Sequence, residues 1–387
     1  MRGFAALLEA ELDALAAADR RRVCPEASGA SRVHPDVRGQ RMLSFCSNDY
    51  LGLASHPALA AAAAEAAARD GYGASASRLV SGDLPAHRAL EATLAGFLDR
   101  PAALAFPSGY QTNVGVLTAL AGREDLIVSD ALNHASLVDG CRLSRARVEV
   151  YPHGDALAAQ RLLAASGPYR RRILVTESLF SMDGDAAPLA ALSEAAVATD
   201  SIFVVDEAHA FGVLGPGGRG LCAAAGVVPD VLIGTLGKAA GAAGGFVAGA
   251  GALRELLVNR ARTFIFTTAL PPPLAAAGTA GVNLIAGPEG DRRRALLAER
   301  RQALGEALAA RGWVSGVPVG PILPVVLGSE ARALAVAEGL RARGLFIPAI
   351  RPPTVPAGSS RLRVTLSSAH EPADLARLVT ALGEVAT

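Results

Sequence analysis

Lysine is almost missing from this sequence, which has 37 basic side chains but only one lysine, Lys238. Every other basic position is an arginine, whose guanidinium stays protonated and forms no imine with an aldehyde. A lysine amine can lose its proton and form an imine. The composition therefore singles out Lys238 as the side chain with this chemistry.

Cysteine and net charge are also low. The four cysteines, at positions 24, 46, 141 and 222, are scattered and lack both the paired spacing of a metal site and the density of a disulfide scaffold. We interpret them as small hydrophobic side chains and expect no metal. The 37 basic and 36 acidic residues leave a net charge of +1, with no basic tail. Nucleic acid is therefore not an expected partner.

Long apolar runs are absent as well. Uncharged stretches such as 239–253 are rich in alanine and glycine and fall short of the roughly 20 residues that a membrane span needs. The first 22 residues have apolar side chains at helical spacing and lack the features of a signal peptide. We therefore expect an amphipathic N-terminal helix and a cytoplasmic protein that does not associate with membranes.

The length of 387 residues exceeds what one core usually accommodates, which is about 250–300 residues. From Ala102 onward, short β-branched runs alternate with helical stretches, a pattern typical of an α/β fold with a mostly parallel central sheet and helices on both faces. From about residue 285 the pattern changes to that of a smaller α+β domain. We predict an N-terminal helix and arm over 1–45, a large domain over 46–284 and a small C-terminal domain over 285–387.

The ends of the predicted strands carry the candidate chemistry, because ligands of such sheets bind outside the carboxyl ends of the strands. Asp206 closes the run IFVVD and is followed three residues later by His209, which we place one helical turn on. Lys238 follows the run VLIGT by a short turn, beside Thr235. Pyridoxal phosphate (PLP) needs an amine for its aldehyde and an anion that keeps its ring nitrogen protonated. Lys238 and Asp206 therefore predict a PLP site.

Other residues can complete this site. The segment PSGYQTN places Ser108, Gly109 and Tyr110 at a helix start, where backbone N–H groups bind phosphate. His134 follows the run LIVSD and can stack on a ring, and Ser181 follows the run ILVTES and can donate to the ring oxygen. Taken singly, each of these is also explained as an ordinary turn or loop residue.

Seven sequence blocks carry a resemblance to a known family. The blocks are SNDYLGL, FPSGYQTN, DALNHASL, TESLFSMDGD, VVDEAHAFGVLGPGGRG, GTLGKAAG and IRPPTVPAGSSRLRVTL. In these blocks and their order, the sequence resembles the α-oxoamine synthases, which are PLP-dependent acyltransferases of fold type I. The resemblance extends from Arg21 to about His370. The resemblance implies a homodimer with the active site at the subunit interface. The stretch IRPPTVPAG is most similar to the branch that condenses L-alanine with a pimeloyl thioester, carried on coenzyme A or acyl-carrier protein, in biotin biosynthesis.

The resemblance also implies roles for individual residues. Lys238 would bind PLP covalently and later carry a proton, Asp206 would pair with the ring nitrogen, and His209 would hydrogen-bond the ring oxygen. His134 would stack on the ring and contact substrate. The phosphate would be held by Gly109, Tyr110 and Thr235 and, from the second subunit, by Thr267 and Thr268. Arg363 would bind the amino-acid carboxylate. Further substrate contacts are implied for Arg21, Asn48, Arg351 and Thr354.

Three alternatives remain open at this stage. Another α-oxoamine synthase would use glycine with an acetyl or succinyl thioester, or serine with a long acyl thioester. Arg351 argues against the glycine-using relatives, which usually carry a tyrosine-containing sequence there. The other two are an aminotransferase of the same fold and a catalytically silent partner subunit, which typically loses the lysine that is kept here as Lys238. Ala76 and Ala242 depart from the family pattern and leave the acyl-chain preference open.

Overall fold

The computed structural model describes residues 3–165 and 167–386. The first two residues of the predicted N-terminal helix, and the terminal residue of the predicted C-terminal domain, lie outside the described residues. Tertiary contacts divide the chain into two compact units. One unit comprises residues 48–297, and the other joins the described residues up to Ser47 with those from Ala298 onward. The three domain ranges predicted from the sequence stay predictions.

Strands and helices alternate along most of the chain. The strands are β1 (Ala27–Ser28), β2 (Asp36–Val37), β3 (Gln40–Arg41), β4 (Leu43–Ser44), β5 (Ala102–Phe106), β6 (Leu126–Asp130), β7 (Arg147–Tyr151), β8 (Arg172–Glu177), β9 (Ile202–Asp206), β10 (Val231–Thr235), β11 (Gly245–Gly249), β12 (Ile322–Gly328), β13 (Leu345–Phe346), β14 (Ala349–Ile350) and β15 (Ser360–Thr365). The helices are α1 (Phe4–Ala17), α2 (Pro57–Asp70), α3 (Pro85–Phe97), α4 (Gly109–Leu120), α5 (Ala135–Ser144), α6 (Ala156–Ala164), α7 (Leu189–Ala198), α8 (Leu221–Ala224), α9 (Gly251–Arg260), α10 (Arg262–Ile265), α11 (Pro272–Ala286), α12 (Pro288–Ala309), α13 (Glu330–Ala342) and α14 (Pro372–Val385).

The larger unit is built on a seven-stranded sheet with the order β5-β11-β10-β9-β8-β6-β7. Six strands run parallel to one another, and β11 runs antiparallel to both of its neighbours, β5 and β10. The prediction of a mostly parallel sheet is confirmed. Every residue of β6, β10 and β11 is buried, as expected for strands covered on both faces.

Successive strand residues pack into two different apolar cores. Ile127 and Val204 face a core that includes Leu117 from α4. Their neighbours Val128 and Val205 face the other core, which is closed by residues of α6 and α7. Because side chains alternate across a strand, this division places helices on both faces of the sheet, as predicted.

The strand β11 also sets the position of helix α4. A Cβ atom added to Gly245 would lie 2.6 Å from the backbone nitrogen of Gly109 and 2.5 Å from Thr112 Oγ1. Only a glycine allows the start of α4 to approach the sheet this closely. The approach brings the first N–H groups of α4 to the edge where β10 ends.

The smaller unit contains an antiparallel sheet, β12-β15-β14, with α13 and α14, and a parallel pair formed by β4 and β13. The prediction of helix and strand in the C-terminal part is confirmed. The expected N-terminal helix is present as α1, but none of its described side chains is buried. Within the described residues, no helix is both long and apolar enough to cross a bilayer.

Candidate functional site

A cavity of about 200 Å³ opens where β8, β9 and β10 end. It brings together seven of the predicted site residues and four that the sequence analysis did not select. The predicted ones are Gly109, Tyr110, His134, Asp206, His209, Thr235 and Lys238. The additional ones are Asn113, Ser136, Glu177 and Ala208.

The amine of Lys238 is held by a histidine. Lys238 Nζ lies 2.8 Å from His209 Nε2, and His209 Nδ1 lies 2.7 Å from the Tyr50 hydroxyl. The Tyr50 hydroxyl donates to Asn48 Oδ1 at 3.0 Å, so it can accept from His209 Nδ1. His209 Nε2 then accepts from the lysine amine. His209 lies in a turn after β9, so the helical placement predicted for it is wrong, although its spacing from Asp206 still brings it to Lys238.

The carboxylate of Asp206 is buried and held at both oxygens. The Ala208 backbone N–H donates to Oδ1 at 2.9 Å, and Asn113 Nδ2 donates to Oδ2 at 2.8 Å. These contacts fix the direction of the carboxylate inside the cavity.

The start of α4 offers N–H groups to the same cavity. Ser108 caps the helix by accepting from the Gln111 N–H at 3.2 Å. Gly109 lies against Thr235, whose hydroxyl donates to the Gly244 carbonyl and accepts from the Gly237 N–H. The first N–H groups of a helix have no partner within the helix and carry its positive dipole end, so this corner suits an anion such as phosphate.

His134 is anchored by three contacts. Its backbone N–H donates to Glu177 Oε1 at 2.6 Å, and its Nδ1 contacts the Ser136 hydroxyl at 2.7 Å and the Ser136 N–H at 3.2 Å. The residue as a whole is exposed, yet partial desolvation of its ring lowers the pKa of His134, while the charge of Asp206 acts in the opposite direction.

Glu177 is the least expected group of the cavity. It closes β8 as Asp206 closes β9, and the two residues are paired in the parallel register. Burial, and secondarily the nearby negative charge of Asp206, raises the pKa of Glu177 to about 8. The pattern that selected Asp206, an acid at a strand end, was also present here in ILVTE and could have selected Glu177.

The raised pKa of Glu177 predicts a pH-dependent stability difference. The folded state binds this proton more tightly than the unfolded state, so the stabilisation is complete below the unfolded pKa of about 4.3 and is lost as the pH rises toward 8. Glu177→Gln should therefore gain stability relative to the parent protein as the pH rises from 5 to 9, by at most about 1.4 kcal/mol per pH unit. Urea unfolding at several pH values measures this. Glu194→Gln, on the exposed face of α7, is the matched control, and an offset for Glu177→Gln that does not change with pH would contradict the prediction.

Glu207, which follows Asp206 in the sequence, has a structural role. Glu207 is buried and accepts from the Ser178 hydroxyl at 3.0 Å, from the Leu221 N–H at 3.0 Å and from the Cys222 N–H at 2.6 Å. Burial raises the pKa of Glu207. It ties the turn after β9 to α8 and does not line the cavity.

The remaining predicted site residues of the larger unit do not line this cavity. Ser108 caps α4 beside it, and Asn48 contributes through Tyr50. Ser181 is buried in the segment after β8. Thr268 is exposed, and its carbonyl accepts from the Thr267 hydroxyl at 3.3 Å.

Four of the predicted substrate residues, Arg21, Arg351, Thr354 and Arg363, lie in the smaller unit. Arg363 is buried in β15, and Arg351 donates to the Asp19 carbonyl. The Thr354 hydroxyl accepts a hydrogen bond from Arg22 at 3.4 Å. The predicted residue Arg21, which precedes Arg22, is exposed. Their roles stay predictions. Within the described residues, no cluster of histidine, cysteine and acidic side chains could hold a metal ion.

Comparisons with known proteins agree over nearly the whole chain. Residues 40–382 match the family model for aminotransferase class I and II. The chain is 52% identical to the 8-amino-7-oxononanoate synthase of Anaeromyxobacter dehalogenans (strain 2CP-1), with coverage of 99% of this chain and 96% of the relative. Its fold is similar to a solved structure of SPT, a serine palmitoyltransferase, with PLP (TM-score 0.92, 28% identity, 99% of each chain). It is also similar to the solved 8-amino-7-oxononanoate synthase of Francisella tularensis (TM-score 0.76, 27% identity, 89% of this chain and 97% of the other).

Proposed function

The chain belongs to the 8-amino-7-oxononanoate synthases, within the aminotransferase class I and II family, and on that premise we propose that it condenses L-alanine with a pimeloyl thioester. The membership confirms the predictions of fold type I, of PLP as cofactor and of an acyltransferase of biotin biosynthesis. The single observation that carries the proposal is the convergence of Lys238, Asp206 and His209 in one cavity. The reaction releases carbon dioxide and the carrier thiol and gives 8-amino-7-oxononanoate.

The residues of the cavity fit PLP. Lys238 offers an amine for the aldehyde, and Asp206 offers a fixed carboxylate for the ring nitrogen. The N-terminus of α4 at Gly109, which lies against Thr235, offers backbone N–H donors for the phosphate. His134 lines the same cavity and can pack against the ring.

The mechanism assigns one task to each side chain. When bound, PLP supplies an aldehyde that links to an amine and a ring that accepts electrons from the substrate α-carbon. Lys238 Nζ moves the α-proton of L-alanine and returns a proton to the product, as a general base and then a general acid. His209 holds that amine at 2.8 Å, and Asp206 keeps the proton on the ring nitrogen.

Substrate recognition is proposed for the arginines of the smaller unit. Arg363 suits the alanine carboxylate because a guanidinium can make two parallel charge-assisted hydrogen bonds. It lies buried in β15, where a fixed side chain loses little further freedom on binding. Arg21, Asn48, Arg351 and Thr354 are proposed as further substrate contacts.

A homodimer is proposed as the active form, with Thr267 and Thr268 reaching the phosphate of the second subunit. Tyr72, Val80 and Phe266 are exposed in the isolated chain, and Phe266 precedes Thr267 directly, so burial of these side chains in a dimer would remove apolar surface from water. Because a two-fold interface is self-complementary, each subunit would give and receive the threonine contacts.

The threonine contacts predict the behaviour of a double variant. Changing Thr267 and Thr268 to valine removes two hydroxyl donors to a charged phosphate with little change in volume, so the affinity for PLP should fall by roughly 10²- to 10⁴-fold. Titration of the protein with PLP measures this, and the preference for alanine should persist. Thr93→Val, which removes a hydroxyl that donates to the Ala89 carbonyl on α3, is the matched control. An unchanged PLP affinity, or an active monomer, would argue against the proposal.

The substrate assignment is tested by product analysis. The purified protein is incubated with L-alanine, glycine or L-serine and with pimeloyl, acetyl, succinyl or palmitoyl thioesters, and the amino-ketone is identified by mass. We expect product from L-alanine with a pimeloyl thioester. Because the fold is similar to that of SPT, the combination of serine with the palmitoyl thioester is the main alternative to be tested. The sequence of this chain is 28% identical to that SPT and 52% identical to the 8-amino-7-oxononanoate synthase of Anaeromyxobacter dehalogenans, which favours L-alanine with a pimeloyl thioester. Efficient product formation from serine or glycine would overturn the assignment, and pimeloyl-CoA and pimeloyl-acyl-carrier protein compared side by side identify the carrier.

The cytoplasm is the proposed compartment. All four cysteines are free thiols in the described chain, as is usual where the surroundings are reducing. The thioester substrates proposed above are consistent with the same compartment.

A further inference from the structure

A chain of hydrogen bonds that the mechanism above does not use connects Asp206 to His134. Asn113 Nδ2 donates to Asp206 Oδ2 at 2.8 Å and to Ser136 Oγ at 2.8 Å. The Ser136 hydroxyl in turn lies 2.7 Å from His134 Nδ1. Asn113 and Ser136 are 2% and 1% exposed, so water does not compete for these contacts.

The chemistry of the groups sets which atom donates in each of these hydrogen bonds. A carboxylate only accepts, so the Asn113 side chain must present its Nδ2 to Asp206. Among the described residues, Asn113 Oδ1 has no hydrogen-bond partner, and both contacts of the amide run through Nδ2. Because Ser136 Oγ accepts from Asn113, its own proton is available for His134 Nδ1.

The imidazole of His134 thereby receives two donors on one nitrogen. The Ser136 backbone N–H also points at Nδ1, at 3.2 Å. A ring nitrogen that accepts hydrogen bonds carries no proton, so the proton of the neutral ring lies on Nε2. Nε2 is the nitrogen that remains for the cavity, which His134 lines.

We propose that Asn113 and Ser136 are positioning residues that link Asp206 to His134 and keep the proton of the neutral His134 ring on Nε2. The inference rests on the proposed function for the roles of Asp206 and His134 in the cavity. It adds that His134 presents a hydrogen-bond donor, Nε2–H, to bound ligands. The partner of Nε2 must therefore be an acceptor, such as an oxygen of the substrate, and cannot be a group that only donates. The charged and titratable groups around the His134 ring are Asp206, Lys238 and Asp139, and the Glu177 carboxyl holds its backbone N–H.

The inference is tested by ¹⁵N NMR of the full-length protein labelled at histidine, recorded as purified and again after addition of PLP. His134→Asn identifies the resonances of His134. In the parent protein we expect a neutral ring protonated at Nε2. Ser136→Ala should raise the ratio of the Nδ1–H to the Nε2–H tautomer about two- to tenfold, which corresponds to the loss of one neutral hydrogen bond. Ser136→Thr, which keeps the hydroxyl, should restore the parent ratio.

Asn113 supplies the sharper test because it does not touch the ring. In Asn113→Ala the Ser136 hydroxyl is free to turn, so the tautomer ratio should shift in the same direction as in Ser136→Ala. The double variant should match Ser136→Ala alone, since Asn113 acts through Ser136. Ser144→Ala is the matched control, a serine of the same helix whose hydroxyl donates to the Cys141 carbonyl, and it should leave the ratio unchanged.

Three results would overturn the inference: a parent ring protonated on Nδ1, a ratio that Ser136→Ala leaves unchanged, or an Asn113→Ala effect that persists undiminished when Ser136 is also alanine. The tautomer is read without turnover. A protein with the expected tautomer but no amino-ketone product would therefore contradict the proposed function and leave the inference standing. A protein that forms the product but whose His134 ring is protonated on Nδ1 would contradict the inference and leave the proposed function standing.

Discussion

Lys238→Ala is expected to abolish covalent binding of PLP and to lower turnover by at least about 10⁴-fold, because the amine has two tasks in the proposed mechanism. Since Lys238 is the sole lysine of the chain, no other side-chain amine can replace it. The absorbance spectrum of the purified variant reports on the cofactor, and the product assay reports on turnover.

Lys238→Arg is the control that separates charge from chemistry. It keeps a positive charge near His209, whose Nε2 lies 2.8 Å from the amine of Lys238, but it cannot form an imine or give up its proton. It should be as inactive as the alanine variant. Turnover within tenfold of the parent in either variant would remove Lys238 from the centre of the mechanism.

Asp206→Asn is expected to lower turnover by roughly 10²–10³-fold or more, because it removes the negative charge that keeps the ring nitrogen protonated. The amide oxygen can still accept from the Ala208 N–H, but its NH₂ group would face Asn113 Nδ2, which now donates to Asp206 at 2.8 Å. We expect this mismatch of donors to cost about 1–3 kcal/mol of stability and to leave the fold intact.

Thermal unfolding and steady-state kinetics separate the two effects of Asp206→Asn. Asp155→Asn is the matched control, since Asp155 caps α6 by accepting from the Ala158 N–H and asparagine caps a helix equally well. It should change neither stability nor turnover appreciably. A folded Asp206→Asn protein with near-normal turnover would contradict the role of this charge.

Strands β6, β8, β9 and β10 were predictable because their apolar runs are buried and end in polar residues. The run VLIGT is β10, and Lys238 follows it as expected. The reversed direction of β11 was not predictable from the run FVAG, because a fully buried strand has the same composition in either direction. The pairing of β4 with β13 was also hidden, because these two-residue strands lie about 300 residues apart.

The centre of the candidate site was predictable for chemical reasons, and its supporting residues were not. Lys238 stands out by composition, and Asp206 stands out as an acid that closes a strand. Asn113 and Ser136 have no such signal, because their contacts with Asp206 and His134 arise only when α4 and α5 pack beside each other at the strand ends. Tyr50 likewise meets His209 across 159 positions of sequence.

Borohydride reduction followed by tryptic digestion and mass spectrometry shows directly whether Lys238 is the residue that binds PLP. Reduction makes the link between a lysine and PLP permanent, and the modified lysine resists trypsin. The assignment of Lys238 predicts one labelled side chain, in an uncut peptide that runs from Gly220 to Arg254 and contains Lys238. A protein that takes up no PLP, or that is cleaved at Lys238 and carries no label there after reduction of the PLP-saturated form, would contradict it.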